Sequence, residues 1–275
     1  MHGRLRLIHS NDVILACEVD GQGPALVLAH GLGCGRLMWR ACVRLLAKWF
    51  TVVTYDLRGH GDSDAPEDPG AYSEDIFVDD FRAVLDGLSI ERAYIGGLSL
   101  GGGVALRMAL EHPSRVLGLA LAGVGSGSDD VDQARANAQL LSVAAKEGGS
   151  AGFADAIMQT DWMHHYVSRS SEAKEHLRGL LMRHPVHGMI NTLQRIIACR
   201  QPVYELGRRL REHRVPLLPV VGEYDRACAR PMRFISDAAE TELVVIPRLG
   251  HLVPLEEPAL FAEYVRRFAA KQAFC

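Results

Sequence analysis

The most informative segment of the chain reads Tyr94-Ile95-Gly96-Gly97-Leu98-Ser99-Leu100-Gly101-Gly102-Gly103. An apolar run leads into a Gly-x-Ser-x-Gly pattern formed by Gly97, Ser99 and Gly101, and helical spacing begins at once. This order predicts a strand, a very sharp turn and a helix, which together lift one hydroxyl clear of the backbone. Glycines are expected on either side because Cβ atoms there would collide with neighbouring backbone. Ser99 is therefore predicted to be a nucleophile.

A serine hydroxyl is a weak nucleophile until a base removes its proton, and the C-terminal part of the chain supplies a base and an acid. His251 follows the last strand-like run, in a loop that is expected to face the same rim of the sheet as Ser99. Asp225 comes shortly after another apolar run and is predicted to orient the histidine. Glu223 remains as the alternative acid.

Acyl transfer builds negative charge on a carbonyl oxygen, so hydrogen-bond donors must be aimed at that oxygen in advance. The backbone N–H of Leu100, directly after the serine, is the first predicted donor. The second is the N–H of Leu32, in the small-residue segment Leu28-Ala29-His30-Gly31-Leu32-Gly33. His30 itself is interpreted as a structural hydrogen-bonding residue.

Short runs rich in Val, Leu and Ile recur along the chain and are typical of strands covered on both faces of a parallel sheet. Helical patterns separate most of them, and this alternation predicts an α/β fold with helices on both faces of the sheet. The predicted strands are Leu5–Ile8, Val13–Val19, Ala25–Ala29, Thr51–Tyr55, Ala93–Gly96, Val116–Ala122, Leu217–Val221 and Leu243–Ile246. The predicted helices are Leu37–Lys48, Ser73–Leu88, Leu100–His112, Pro231–Ala239 and Pro258–Lys271.

One region departs from this alternation, because residues 127–201 contain helical spacing and no strand-like run. We predict that 127–201 form a helical cap, and that 1–126 and 202–275 form the core. An insertion at the carboxyl end of a strand lies over the place where open α/β sheets bind ligands. The predicted cap helices are Val131–Lys146, Phe153–Met163, Glu172–Met182 and His187–Cys199, separated by Gly148-Gly149, Ser168–Ser171 and His184-Pro185.

Composition excludes several classes of protein. Hydrophobic residues make up 48% of the chain and charged residues 23%, as in ordinary globular proteins. The net charge of −3 gives no field that favours nucleic acid or an anionic membrane. The longest apolar runs are too short to span a bilayer, and no secretory signal is visible. Six cysteines without metal-ligand spacing are interpreted as reduced thiols, so a cytoplasmic location is expected, and a homo-oligomer stays possible.

Four motifs in order resemble the α/β-hydrolase superfamily, in particular its esterase, enol-lactonase and carbon–carbon hydrolase branch. They are His30-Gly31-Leu32-Gly33, Tyr55-Asp56-Leu57-Arg58-Gly59-His60-Gly61-Asp62-Ser63, Gly97-Leu98-Ser99-Leu100-Gly101-Gly102 and Gly250-His251. The resemblance implies an eight-stranded, mostly parallel sheet with a helical cap inserted after the sixth strand. It also implies a Ser–Asp–His triad and no metal or organic cofactor. The segment Asp56–Ser63 is a structural loop in that family.

Departures from particular branches narrow the expected chemistry. Haloalkane dehalogenases and epoxide hydrolases carry aspartate at the nucleophile, where this chain has Ser99. The carbon–carbon hydrolases carry a tryptophan after the catalytic histidine, where this chain has Leu252 and Val253. The expected activity is therefore hydrolysis of a small to medium, mainly apolar ester or lactone through an acyl-serine. A carbon–carbon bond hydrolase and a weakly catalytic ligand receptor remain the alternatives.

The predicted cap also supplies candidates for the substrate pocket. Flexible methionines and aromatic side chains are typical of an apolar acyl pocket, although each is equally typical of ordinary helix packing. Arg183 and His184 are candidates for binding a substrate carboxylate, with a surface position as the alternative. Cys34 and Cys228 are expected near the site as buried apolar side chains. The pocket candidates are Met158, Trp162, Met163, Tyr166 and Met189.

Overall fold

A computed structural model describes residues 3–212 and 215–272, and an eight-stranded sheet runs through its centre. The strand order is β1-β2-β4-β3-β5-β6-β7-β8. The pairings of β1 with β2 and of β2 with β4 are antiparallel, and every later pairing is parallel. The strands are β1 Arg4–Ser10, β2 Val13–Asp20, β3 Ala25–Ala29, β4 Thr51–Tyr55, β5 Ala93–Leu98, β6 Val116–Ala122, β7 Leu217–Gly222 and β8 Val244–Ile246.

Helices cover the sheet and complete the core. The central strands carry fully buried side chains such as Leu28, Val53 and Ile95, as expected of strands packed on both faces. The helices are α1 Arg40–Leu46, α2 Glu74–Gly87, α3 Leu100–Glu111, α4 Val131–Ile157, α5 Asp161–Val167, α6 Ser171–Leu181, α7 Val186–Thr192, α8 Gly207–Glu212, α9 Arg226–Ala238, α10 Val253–Glu256 and α11 Pro258–Gln272. Among them, α1 packs against α11, α2 packs against α3, and α3 packs against β5 and β6.

The strand predictions are confirmed, with three strands matching at both ends and the others differing by a few residues. Three predictions outside residues 127–201 differ from the structure. The helix predicted over Leu37–Lys48 is a 3-10 turn, Arg36–Trp39, followed by the shorter helix α1. The helix predicted from Pro231 begins five residues earlier, at Arg226, so Pro231 lies inside it and leaves the Ala227 carbonyl without its helical hydrogen bond. The segment after His251, predicted as a loop, contains the short helix α10.

The segment between β6 and β7 contains no strand among its described residues. Its first helix, α4, is interrupted at Gly149, which adopts a φ of 62°, at the predicted glycine break. The helix predicted over Phe153–Met163 is wrong, because α4 ends at Ile157 and a new helix, α5, begins after the extended residue Thr160. The Thr160 hydroxyl donates to the Ile157 carbonyl, 2.7 Å away, and satisfies this helix end. The helix predicted over His187–Cys199 consists in the structure of α7 and the π-helical turn Leu193–Ile197 that follows it.

Two further structural properties concern membrane-spanning helices and the state of the cysteines. Across residues 3–212 and 215–272, no helix combines the length and apolar character needed to cross a bilayer. Five cysteines are free thiols, and all but Cys199 are buried. Cys275, the sixth, lies outside the described residues.

Candidate active site

Ser99 occupies the sharp turn between β5 and α3. Its backbone has a φ of 53° and a ψ of −112°, a left-handed conformation that is strained for a residue with a side chain. Two hydrogen bonds hold the turn in place: the Ser99 N–H donates to the Ala122 carbonyl at 2.9 Å, and the Gly101 N–H donates to the His30 carbonyl at 3.0 Å. The strain is therefore maintained by neighbouring strand ends.

The two glycines of the pattern are required by space. A Cβ atom on Gly97 would lie 2.6 Å from the Ala29 carbonyl oxygen and 2.5 Å from the Gly101 carbonyl carbon. A Cβ atom on Gly101 would lie 2.4 Å from the same Ala29 oxygen. These atoms belong to the backbone of β3 and of the turn itself, so they cannot swing aside. The expected collision is confirmed.

His251 and Asp225 form a buried pair at the carboxyl end of the sheet. The Nδ1–H of His251 donates to Asp225 Oδ2 at 2.8 Å, and each residue is 4% exposed. Because a carboxylate only accepts, this bond fixes the histidine tautomer and leaves Nε2 as the basic nitrogen. Gly123 passes so close that a Cβ there would lie 2.9 Å from Asp225 Oδ2 and 3.0 Å from His251 Nδ1.

The alternative acid, Glu223, forms no hydrogen bond or ion pair with His251. Its carboxylate accepts from the Arg248 N–H at 2.8 Å, and the residue is exposed. The turn Gly222–Asp225 explains the difference, since the Asp225 N–H donates to the Gly222 carbonyl and turns the chain back towards the site. Of the two candidate acids, the structure places Asp225 beside the imidazole.

Glu256, which the sequence analysis did not single out, holds the histidine loop. Its buried carboxylate accepts from the Gly250 N–H at 3.0 Å and the Leu252 N–H at 3.2 Å, on either side of His251. The His165 Nδ1–H, from α5, donates to the same carboxylate at 2.6 Å. Glu256 and Glu257 are adjacent in the chain, and no pattern in the sequence distinguishes the buried Glu256 from the half-exposed Glu257.

The two amides predicted as oxyanion donors have no internal acceptor. Neither the Leu32 N–H nor the Leu100 N–H donates to a described residue. The loop that carries Leu32 is fixed by His30, whose Nδ1–H donates to the Gly31 carbonyl at 2.8 Å and whose Nε2 accepts from the Leu57 N–H at 3.0 Å. With both ring nitrogens engaged and the ring fully buried, His30 is a structural residue.

Ser99 and His251 line the same cavity, and no direct hydrogen bond joins their side chains. Hydrogen bonds between catalytic groups often form only once a substrate is bound. Two of the predicted pocket residues, Trp162 and Met163, contribute to its wall. The lining residues are Gly31, Leu32, Cys34, Leu98, Ser99, Ser126, Ile157, Trp162, Met163, Ile197, Arg200, His251 and Leu252.

The other three predicted pocket residues lie outside this wall. Met158 and Met189 are buried in the packing of the helical segment, at 3% and 1% exposure. Tyr166 shares a hydrogen bond of 2.9 Å between its hydroxyl and His176 Nδ1. Helical spacing cannot tell which face of a short helix meets a cavity and which meets another helix.

The predicted carboxylate candidates, Arg183 and His184, also lie away from the cavity. The exposed Arg183 pairs with Asp62 at 3.5 Å. The buried His184 accepts from the Gly61 N–H through Nδ1 at 2.8 Å and donates through Nε2–H to the Gly33 carbonyl at 2.6 Å. A different arginine, Arg200, reaches the cavity, and its position at the end of a helical run gave no signal in the sequence.

One group of side chains has the composition of a metal site, namely Asp225, Cys228 and His251, whose ligand atoms lie within 4.8 Å of one another. Each of these atoms already has an internal partner. The Cys228 thiol donates to the Gly123 carbonyl at 3.2 Å, and burial raises the pKa of this thiol well above its ordinary value. A neutral thiol is a poor ligand, so this arrangement fits a histidine–aspartate pair better than a metal centre.

Comparison with known proteins supports the same fold. Residues 24–144 match a family model described as the alpha/beta hydrolase fold. A fluoroacetate dehalogenase from a Burkholderia species is 42% identical over 119 residues, which are 42% of this chain and 39% of that protein. The chain thus matches about two fifths of the length of that relative.

Two solved structures match over almost the whole chain. A thermophilic esterase from Thermogutta terrifontis has a TM-score of 0.86 and 26% identity, covering 98% of this chain and 99% of that one. The enol-lactonase from Burkholderia xenovorans LB400 has a TM-score of 0.81 and 26% identity, covering 96% of this chain and 100% of that one.

The sheet order, the serine turn and these likenesses define a protein with the α/β-hydrolase fold. The chain thus matches the α/β-hydrolase superfamily in fold, and over residues 24–144 in sequence. The three proteins compared with it are named as a dehalogenase, an esterase and an enol-lactonase. The predicted fold and the predicted resemblance are both confirmed.

Proposed function

We propose that the protein is a serine hydrolase that cleaves small to medium, mainly apolar esters or lactones. The observation that carries this proposal is the placement of three features around one cavity. They are a strained serine at a strand-to-helix turn, a histidine whose tautomer is fixed by a buried aspartate, and two backbone amides without internal acceptors.

In the proposed reaction, Ser99 Oγ attacks the substrate carbonyl while His251 Nε2 takes the hydroxyl proton. The Leu32 and Leu100 amides stabilise the oxyanion of the tetrahedral intermediate. Its collapse returns the proton from His251 to the departing alkoxide and leaves an acyl-serine. A water molecule, deprotonated by the same imidazole, then attacks the acyl-serine and releases the carboxylic acid and free enzyme.

The substrate class follows from the cavity. Its wall is mainly aliphatic and aromatic, which suits a mainly apolar substrate. Ile157, Trp162, Met163 and Ile197 come from the helical segment that we propose as a cap over 127–201. The cytoplasmic location also remains a proposal, drawn from cysteine usage alone.

Ser99 at the turn argues against dehalogenation, since haloalkane dehalogenases of this superfamily carry aspartate at the position of the nucleophile. Leu252 and Val253 follow His251, where carbon–carbon bond hydrolases carry a tryptophan, and this difference argues against that reaction. The receptor alternative differs from the enzyme in turnover, and a single experiment separates the two.

Replacing Ser99 with alanine tests the proposal. We expect Ser99→Ala to lower the rate of p-nitrophenyl butyrate hydrolysis about 10⁴-fold or more, because the remaining groups cannot form an acyl-enzyme. A fluorophosphonate probe should add one covalent mass to the wild type and none to the variant. Ser142→Ala is the matched control, since Ser142 is a fully buried serine in α4 whose hydroxyl has no hydrogen-bond partner.

Near-wild-type hydrolysis by folded Ser99→Ala would exclude Ser99 as the nucleophile. Pre-steady-state kinetics address the receptor alternative. The enzyme should release p-nitrophenol over many turnovers, whereas a receptor with a residual hydrolase site would stop after at most one equivalent.

A further inference from the structure

Arg200 brings a positive charge to a cavity that is otherwise mainly apolar. It follows the π-helical turn Leu193–Ile197, and its side chain lines the same cavity as Ser99 and His251. Its Nη2 donates to the Ser126 carbonyl and, at 2.8 Å, to the Ser126 hydroxyl oxygen. These two bonds fix the plane of the guanidinium. The remaining N–H groups, on Nε and Nη1, make no hydrogen bond to a described residue.

This charge has no carboxylate partner among residues 3–212 and 215–272. No carboxylate oxygen of the described residues lies within 4.0 Å of the guanidinium. Glu74 is the carboxylate whose charge reaches Arg200, but it forms its own ion pair with Arg107 at 3.4 Å. The Cys228 thiol is neutral and offers no compensation. Burial lowers the pKa of the Arg200 guanidinium, yet arginine stays charged because its ordinary pKa exceeds 12.

A charged side chain beside an apolar cavity is unfavourable unless a partner of opposite charge arrives. The free edge of a guanidinium fork matches the two oxygens of a carboxylate, which it binds through parallel hydrogen bonds. The cavity that Arg200 and Ser99 both line also has apolar side chains such as Ile197 and Leu98 in its wall, which suit a short methylene chain.

We propose that Arg200 binds a carboxylate of the substrate, so that the preferred substrate is an ester or lactone carrying a free acid group on its acyl chain. This inference rests on the proposed hydrolase function and names its substrate class. Arg200 acts in it as a specificity-determining residue, and Ser126 orients its guanidinium.

Matched chromogenic esters test the proposal. The anionic set is the mono-p-nitrophenyl esters of glutaric, adipic and pimelic acid, and the neutral set is p-nitrophenyl pentanoate, hexanoate and heptanoate. For at least one chain length, the wild type should hydrolyse the anionic ester with a kcat/KM about tenfold or more above its neutral counterpart, after subtraction of spontaneous hydrolysis.

Arg200→Met should lower the anionic-to-neutral ratio of kcat/KM about 10²-fold, because it removes the charge and keeps the aliphatic bulk. Arg200→Lys, which keeps the charge without the fork, should give an intermediate ratio and serves if the methionine variant does not fold. Arg183→Met is the matched control, since Arg183 is exposed and pairs with Asp62, and it should leave the ratio unchanged.

An equal loss on both ester sets in Arg200→Met would assign Arg200 to a structural role and overturn the proposal. A wild-type ratio of one or less at every chain length would also overturn it. The proposed function fails separately, if no ester of either set is hydrolysed. In that case, calorimetric titration of adipate into Ser99→Ala and into the double variant Ser99→Ala/Arg200→Met tests the carboxylate site without catalysis. Equal affinity of the two variants for adipate would contradict the proposed role of Arg200.

Discussion

The serine turn depends on two glycines, because there is no room for a Cβ atom at either position. Gly97 and Gly101 leave room for the backbone of β3, and Ser99 carries the strained φ of 53° between them. Gly103, two residues further along α3, has no atom within 4 Å of a built Cβ. The chain therefore offers a crowded and an open glycine within one turn of the same helix.

Gly101→Ala should destabilise the protein by about 1–3 kcal/mol and abolish most ester hydrolysis, because its Cβ would displace the Ala29 carbonyl and with it Ser99. Gly103→Ala should be neutral or stabilise the protein by about 0.5–1 kcal/mol, because alanine favours helix and meets no neighbour. Thermal unfolding and p-nitrophenyl butyrate turnover provide the measurements. Equal behaviour of the two variants would contradict the steric account.

The short helix α10 positions the His251 side chain through hydrogen bonds to the backbone on either side of it. Glu256 does not line the cavity, so it acts on the site through its hydrogen bonds to the backbone of Gly250 and Leu252. His165 and Arg169 of the helical segment reach the same short helix, the first at the Glu256 carboxylate and the second at its carbonyl. This contact links the proposed cap to the histidine loop.

Glu256→Gln should lower kcat/KM for neutral esters about 10²-fold, because in either orientation the amide nitrogen would face the Gly250 N–H together with a second donor, from Leu252 or His165, and shift His251. The pH dependence of kcat/KM should move as well, which a purely structural loss would not cause. Glu257→Gln is the control, since Glu257 is half exposed and contacts Arg169 only at 3.4 Å. Equal and small effects of the two changes would contradict a positioning role for Glu256.

Three buried histidines join distant parts of the whole molecule. The His60 ring lies 4.8 Å from His30 and 5.2 Å from His184, between ring centroids. Burial lowers the pKa of all three, and that of His184 to about 4. The hydrogen bonds of His184 require the neutral ring, because a proton on Nδ1 would meet the Gly61 N–H.

A pH dependence of stability follows from these histidines. Below its ordinary pKa of 6.5, His184 binds a proton in the unfolded chain but stays neutral in the folded one until about pH 4. The free energy of unfolding should thus be greatest above pH 6.5 and fall towards pH 4, by about 3 kcal/mol from His184 alone. His30 and His60 act in the same direction.

Urea unfolding between pH 7.5 and pH 4.5 measures this dependence. His184→Gln should reduce the slope, because one proton fewer is taken up on unfolding. Replacement of the exposed His9 by Gln should not reduce it. A free energy of unfolding that stays constant over this range would contradict the account.

Most of the strand positions and the residues of the serine turn were predictable from the sequence, because both depend on local properties. A buried parallel strand needs a compact apolar run, and the turn needs glycines at fixed spacing, so the chain displays both in its pattern. The positions of Asp225 and His251 after two strand-like runs also predicted that they would approach each other, and the structure places His251 Nδ1 2.8 Å from Asp225 Oδ2. Their catalytic roles stay predictions until the variants are measured.

The sequence alone determined the sheet, the strained turn and the identity of the chemical groups, since each follows from neighbours along the chain. Only the tertiary structure decided which side chains share the cavity. Arg200 and Glu256 are 101 and 157 positions beyond Ser99 in the sequence, and their partners come from other elements. The physical reason is that burial and hydrogen-bond partners belong to the packed chain, and helical spacing records a face without recording what that face meets.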